Sequence, residues 1–297
     1  MFNINWSSKV KINEFVLKAL SPILYGLGFY QRNWKNKAKT KACVAVVYYH
    51  RVVESNKVND GLLSDEAGIS AEAFEKHMRF MLKHFTPIKP SEVNDVLDKP
   101  GLYFAVTFDD GFEDNYTIAA PILSKLGLSG AFFVVSDFIN TDKLFWWEQL
   151  AVVLKNTNST KLDLSLINLD WLSEHKLENQ LSLETGEQKN AAQIKIAAIL
   201  RHSSPSQIQQ FMPALSQQLG VELKINGRSH PLMTWQQLDD LQNRGIDIGG
   251  HTATHANLGT CKPEDYENEI LNATVTLKKG LNKDVPAFAY PYGTFSH

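Results

Sequence analysis

Leu102-Tyr103-Phe104-Ala105-Val106-Thr107-Phe108-Asp109-Asp110-Gly111 decides how this chain is read. The apolar run has the character of a strand buried on both faces, as central strands of parallel sheets are. It stops at two adjacent carboxylates and a glycine. In α/β folds ligands sit beyond the carboxyl ends of strands, where Asp109 and Asp110 lie. Gly111 permits the tight turn that lets two neighbouring carboxylates take different jobs around one centre. An isolated Asp-Asp-Gly most often caps a turn; its place after a buried strand makes it a candidate site.

The flanking sequence agrees. Cys43 to Tyr49 reads as a buried strand ending at His50-Arg51, and Cys43 as a small buried hydrophobe. Ser70 caps a predicted helix with Phe74, His77, Met78 and Met81 on one side. Phe85 to Ile88 reads as a short strand. A helix from Asn115 to Lys125 ends at Gly127, and Ala131 to Val135 is again fully apolar. Strands alternating with helices favour a parallel α/β organisation.

From about 140 to 230 that rhythm breaks. Trp146-Trp147 opens a predicted, mostly helical insertion, with short-strand or irregular structure near Lys161 to Leu166 and Val221 to Ile225. The α/β pattern then returns. Thr234 caps a helix, and Gly245 to Ile248 delivers Gly249-Gly250-His251. A helix starts at Pro263, and Pro286 to Tyr290 reads as a last strand before Pro291-Tyr292-Gly293.

His251-Thr252-Ala253-Thr254-His255 places two imidazoles four residues apart, a spacing that suits a metal-ligand pair. With Asp110 they form a two-histidine, one-carboxylate set. Zinc is the leading metal, with cobalt, nickel or manganese as alternatives. His50 ends its strand at the same edge and reads as a substrate contact or a residue behind the ligands, with a structural histidine an equal alternative. Tyr290, Pro291 and Tyr292 close the last strand there. Trp146 and Trp147 read as sugar-stacking rings or as helical core.

The chain has 297 residues, 43% of them hydrophobic, and a net charge of −2. Those values describe a folded protein and give no support for nucleic-acid binding. The charge is uneven: residues 1–41 carry +7 and the remainder −9. Residues 1–40 therefore read as a basic amphipathic segment, either packed on the domain or held at an anionic lipid surface. The apolar run from Phe15 to Tyr30 is too short and interrupted for a clear membrane span. No secretory signal is evident, so a cytoplasmic location, peripheral to the inner face of the membrane, is expected.

At Thr107 to Gly111, His251 to His255 and Ala289 to Gly293, the sequence resembles the polysaccharide deacetylases of the NodB-homology type. Val47 to Val52 also looks like the first strand of one bacterial branch. The resemblance covers roughly residues 43–138 and 230–295. It implies an irregular (β/α)7-type barrel over 41–297, interrupted at about 140–230. It further implies a metal-dependent hydrolase that removes N-acetyl groups from an amino-sugar glycan or a lipid-linked sugar. Asp109 would be the general base, Asp110, His251 and His255 the metal ligands, and the Tyr292 backbone N–H an oxyanion donor. Two departures matter. The family's third motif usually carries an arginine where this chain has Ala289. The family's late histidine, the usual general acid, is expected beyond His297, so the C-terminal part of the domain is read as lacking here. A catalytically silent carbohydrate-binding domain and a carbohydrate O-acetyl esterase are the alternatives; retention of Asp109 argues against the silent domain.

Overall fold

The structure is a computed structural model describing residues 21–22, 24–55, 68–174, 178–223 and 231–294. Expectations for residues 1–20, Ile225 and His297 fall outside these residues.

All pairings in the central sheet are parallel. β1 (Ala42–Tyr49) lies along the whole of β5 (Gly101–Phe108), from Ala42 opposite Gly101 to Tyr49 opposite Phe108. On its other side β5 pairs first with β4 (Thr86–Pro87), then with β6 (Ala131–Val134) at Thr107 and Phe108. β6 pairs with β9 (Asp247–Gly250), and Phe288 bridges Gly250 beyond it. The strands point one way, so His50, Asp109, His251 and Tyr290 emerge at a common edge. A small parallel ladder, β2 (Val52–Val53) with β3 (Ile69–Ser70), follows His50.

Helices shield the sheet for reasons visible in the sequence. α1 (Phe29–Lys37) precedes β1. In α2 (Ala71–His84) the Ser70 hydroxyl accepts from the Ala73 N–H, and Glu72 and Lys83 suit the helix dipole at its two ends. Its Phe74, Met78 and Met81 are buried against Phe104, Val106, Phe108, Phe132 and Val134 of the sheet. α3 (Ala120–Lys125) follows a π-turn over Asn115–Ala119, and α7 (Trp235–Asn243) starts in a Thr234–Gln237 capping box. No described helix is long and apolar enough to cross a membrane.

The segment between β6 and α7 has a core of its own. α4 (Trp146–Asn156), α5 (Gly186–Leu200) and α6 (Pro205–Leu219) enclose Leu150, Leu154, Ile196, Leu200, Phe211 and Leu215. A short antiparallel pair, β7 (Lys161–Asp163) with β8 (Gln180–Ser182), closes one end through Leu162 and Leu181. Capping boxes at Thr185–Gln188 and Ser204–Gln207 fix both long helix starts. Phe112, Val135 and Phe145 belong to this second core and carry it up to the sheet's carboxyl edge.

Three expectations are corrected. β1 is not fully buried: Ala45, Val47 and Tyr49 pack on the sheet core, but Val46 and Tyr48 are 56% and 57% exposed, and Cys43 is half-buried. Alternate residues face opposite sides, and an unbroken apolar run hides that only one side is covered. The strand expected at Pro286 to Tyr290 reduces to the Phe288 bridge, with hydrogen bonds Gly250 N–H to Ala287 O and Ala289 N–H to Gly250 O. Pro286 and Pro291 bring no N–H to extend the ladder. Residues 221–223 form no strand.

Candidate active site

A cleft of about 430 Å³ opens at the carboxyl edge of the sheet. It brings together most of the residues picked out in the sequence: His50, Asp109, Asp110, Trp146, Trp147, His251, His255, Tyr290 and Tyr292. Tyr48 and Arg201 also line it. Pro291 is buried beneath the Tyr290–Tyr292 turn.

The first wall is the turn after β5. The Asp109 N–H donates to Tyr49 O at 2.9 Å, Gly111 N–H to Asp109 O at 2.9 Å, and Met233 N–H to Gly111 O at 2.9 Å. Asp110 and Gly111 both take left-handed backbone conformations, with φ of 72° and 82°. The turn then locks onto the end of β1. Asn115 Nδ2 donates to His50 O at 3.1 Å, and Arg51 Nε donates to Asp114 Oδ2 at 2.8 Å while its guanidinium lies over the Phe112 ring.

The second wall is the loop after β9, which is not helical. It begins where Gly249 lets the Phe133 ring and the Ala287 carbonyl approach so closely that a Cβ would collide with both. Thr252 and His255 have φ of 65° and 63°. Glu269, buried in the helical stretch after the loop, holds it in place. Its carboxylate accepts from Ala253 N–H at 3.1 Å, Thr254 N–H at 2.9 Å and Thr254 Oγ1 at 2.9 Å. Thr252 Oγ1 accepts from Ala256 N–H. Six described non-glycine residues have positive φ; Asp110, His255 and Tyr292 of these line the cleft, and Thr252 is buried in the loop between its two histidines. Each costs on the order of 1–3 kcal/mol, so the surrounding hydrogen bonds hold a geometry the free backbone avoids.

The two walls meet at three buried side chains. Asp110 Oδ1 lies 3.1 Å from His255 Nε2 and 3.5 Å from His251 Nε2. One ligand atom from each lies within 4.8 Å of the others. His251 Nδ1 is 2.9 Å from the Ala289 carbonyl, which only accepts, so Nδ1 carries the proton and the Nε2 lone pair faces Asp110. Burial drops the His251 pKa to about 3, leaving a neutral imidazole. Burial alone would raise the Asp110 pKa, but His255 beside it, with His50 and His251, outweighs burial and lowers it, so the carboxylate is ionised. Asp110 Oδ1 is nonetheless buried without an aligned protein donor. An ionised carboxylate, a neutral imidazole fixed by a backbone carbonyl and a buried acceptor without a donor fit a divalent cation.

Asp109 is half-buried beside this triad. Burial, reinforced by the Asp110 charge and opposed by His50, pushes its pKa up to about 7. Trp146 and Trp147 are 8% and 4% exposed, so packing claims most of their surface. Trp147 stacks on Phe145 and sets its edge against His255, while Trp146 Nε1 donates to the Tyr292 hydroxyl at 3.1 Å.

A sequence-family profile described as polysaccharide deacetylase matches residues 207–297, which hold both histidines and the Tyr290–Gly293 turn. YxkH of Bacillus subtilis (strain 168) is 27% identical over 108 residues, 35% of this chain and 36% of YxkH. Over these residues the chain is similar to the polysaccharide deacetylase family. Asp109 and Asp110 lie outside the profile match and reach the family's histidines through the sheet. Among solved structures, BA0330 of Bacillus anthracis is similar with a TM-score of 0.50 and 16% identity, covering 86% of this chain and 53% of that one. IcaB of Ammonifex degensii has a TM-score of 0.47 and 16% identity, over 85% and 76% of the two chains. At that identity the likeness to BA0330 concerns the fold alone. The match spans about a third of the curated relative.

Sequence reading missed Glu269 and Arg201. The first left a trace: Glu269, Ala273, Leu277 and Leu281 recur every four residues, and all are buried. An acid on the inward stripe of a helix asks for a partner. Arg201 left no trace, because its place depends on how the second core docks.

Proposed function

We propose that this chain is a metal-dependent hydrolase that removes N-acetyl groups from an amino-sugar glycan or glycolipid. The observation that carries the reading is Asp110 with His251 and His255 converging on one point, with a second carboxylate of raised pKa beside it. In this reading Asp110, His251 and His255 hold one divalent ion, zinc first, with cobalt, nickel or manganese as alternatives. Such an ion, when bound, polarises a carbonyl and acidifies water. Asp109 takes the proton of the attacking water onto its carboxylate. The Tyr292 backbone N–H donates to the oxygen on which negative charge develops. His50 faces Asp109 and favours its ionised form. Tyr290, Pro291, Trp146 and Trp147 shape the wall against which the sugar lies. Protonation of the amine nitrogen then completes its release from acetate.

In the same reading residues 41–297 form one catalytic domain around an irregular (β/α)7-type barrel, interrupted at 140–230. The uniformly parallel sheet and the separate second core support it. We also propose peripheral contact with an anionic membrane, since exposed Leu27 and Phe29 neighbour Arg32, Lys35, Lys37, Lys39 and Lys41. Cosedimentation with anionic vesicles that survived replacing those four lysines by glutamate would refute that contact.

The hydrolase reading is tested by acetate release from a panel of N- and O-acetylated sugars, with metal-stripped and zinc-reloaded protein side by side. Release that needs metal and N-acetyl substrates supports it. Release from O-acetyl substrates alone points to the esterase, and metal binding without release to a silent binding domain.

A further inference from the structure

We propose that Trp146, from the inserted half, is a positioning residue that holds the Tyr292 turn in the conformation from which its backbone N–H meets the oxygen where negative charge develops. This proposal rests on the deacetylase reading above. Tyr292 has φ of 60° and ψ of 1°, a left-handed conformation that a tyrosine avoids. Its ring is 38% exposed, so burial leaves it partly open to solvent. Trp146 Nε1 braces that ring by donating to its hydroxyl at 3.1 Å, and the ring stands edge-on to His255 with centroids 5.0 Å apart.

The donor is itself fixed. Trp146 is buried and opens α4, where Phe145 N–H donates to Glu148 Oε2 at 2.8 Å, and its ring stands at 90° to that of Trp147 in the second core. The rest of the turn is anchored separately. Gly293 N–H donates to Tyr290 O at 3.0 Å, and Thr294 Oγ1 donates to Asn257 Oδ1. Asn257 is buried two residues beyond His255, and its Nδ2 donates to Arg201 O at 2.6 Å, at the end of α5. Loss of the Trp146 bond therefore loosens Tyr292 without detaching the turn. A hydrogen bond that aims a donor matters most for a ligand with charge on the oxygen facing that donor, here a tetrahedral anion rather than the flat acetate product.

The test is binding to zinc-loaded protein, read by calorimetry, with methylphosphonate as a tetrahedral anion and acetate as a planar one. Trp146→Phe and Tyr292→Phe are each expected to weaken methylphosphonate about 3–10-fold, the range of one neutral hydrogen bond, with acetate and zinc affinity at wild-type values. The double variant should bind no more weakly than either single one, because both remove the same bond. Tyr292→Phe takes one oxygen from a partly exposed ring, so it carries the test if Trp146→Phe does not fold. Wild-type methylphosphonate binding in either variant, losses that add in the double variant, or an equal loss for acetate or zinc would overturn the proposal. So would a wild-type protein that does not bind methylphosphonate. Binding is read without turnover, so a failure of the hydrolase reading shows separately as absent acetate release from N-acetyl sugars.

Discussion

The cleft has two halves of different construction. The sheet half presents Asp109, Asp110, His251 and His255 from strand ends, on strained backbone pinned by short hydrogen bonds. The inserted half presents Trp146, Trp147 and Arg201 from helices around a second core. Strand ends of a packed parallel sheet shift little, so they suit groups whose spacing decides chemistry. A helical subdomain with its own core can vary in sequence without disturbing that spacing, which suits the choice of substrate.

That contrast breaks or sharpens under mutation. The largest effect is expected for His255→Ala, which should abolish stoichiometric zinc binding by elemental analysis while the far-ultraviolet circular dichroism is preserved. Retention of tight zinc would move the metal elsewhere. Phe211→Ala empties the centre of the inserted core and should cost about 3–5 kcal/mol in denaturant melts. If the halves are independent, the folded variant keeps wild-type zinc affinity; a parallel fall in affinity would show a single unit.

Glu269→Ala removes the carboxylate that holds three donors of the histidine loop. It should weaken zinc about 10–100-fold, as loss of groups supporting metal ligands does. Glu269→Gln, which keeps one acceptor, should recover part of that loss. An equal loss of stability in both variants with zinc affinity unchanged would reduce Glu269 to a fold residue.

The smallest effect concerns pH. In the proposed reading Asp109 is the base, which it can be only when ionised, and its pKa is raised to about 7. Activity should therefore rise with pH and level off above that limb; a bound cation favours the carboxylate and moves the limb lower. His50→Ala should move it up. Activity that grows on acidification would assign Asp109 the role of an acid.

Much of the sheet half was legible in the sequence because its signals are local. Buried parallel strands are continuous apolar runs, and Asp109-Asp110-Gly111 and the two histidines sit at their ends. What was not legible depends on distant packing. The open face of Val46 and Tyr48 follows from which strands flank β1. The prolines at 286 and 291 stood in plain view, yet the apolar run between them outweighed them. Glu269 acts fourteen residues beyond His255, and Arg201 reaches the cleft only through the docking of α5 against Asn257. The two tryptophans, expected either to stack on a sugar or to pack in helical core, belong to the second core and also line the cleft.

The central claim is that Asp109 moves the proton while Asp110, His251 and His255 hold the metal. Asp109→Asn keeps the shape and removes the base, so acetate release and bound metal should be measured on that variant together. The account predicts full metal content and a fall in kcat/KM of about 10²–10⁴-fold, the range of general-base catalysis. Metal content unchanged and acetate released at the wild-type rate would contradict it.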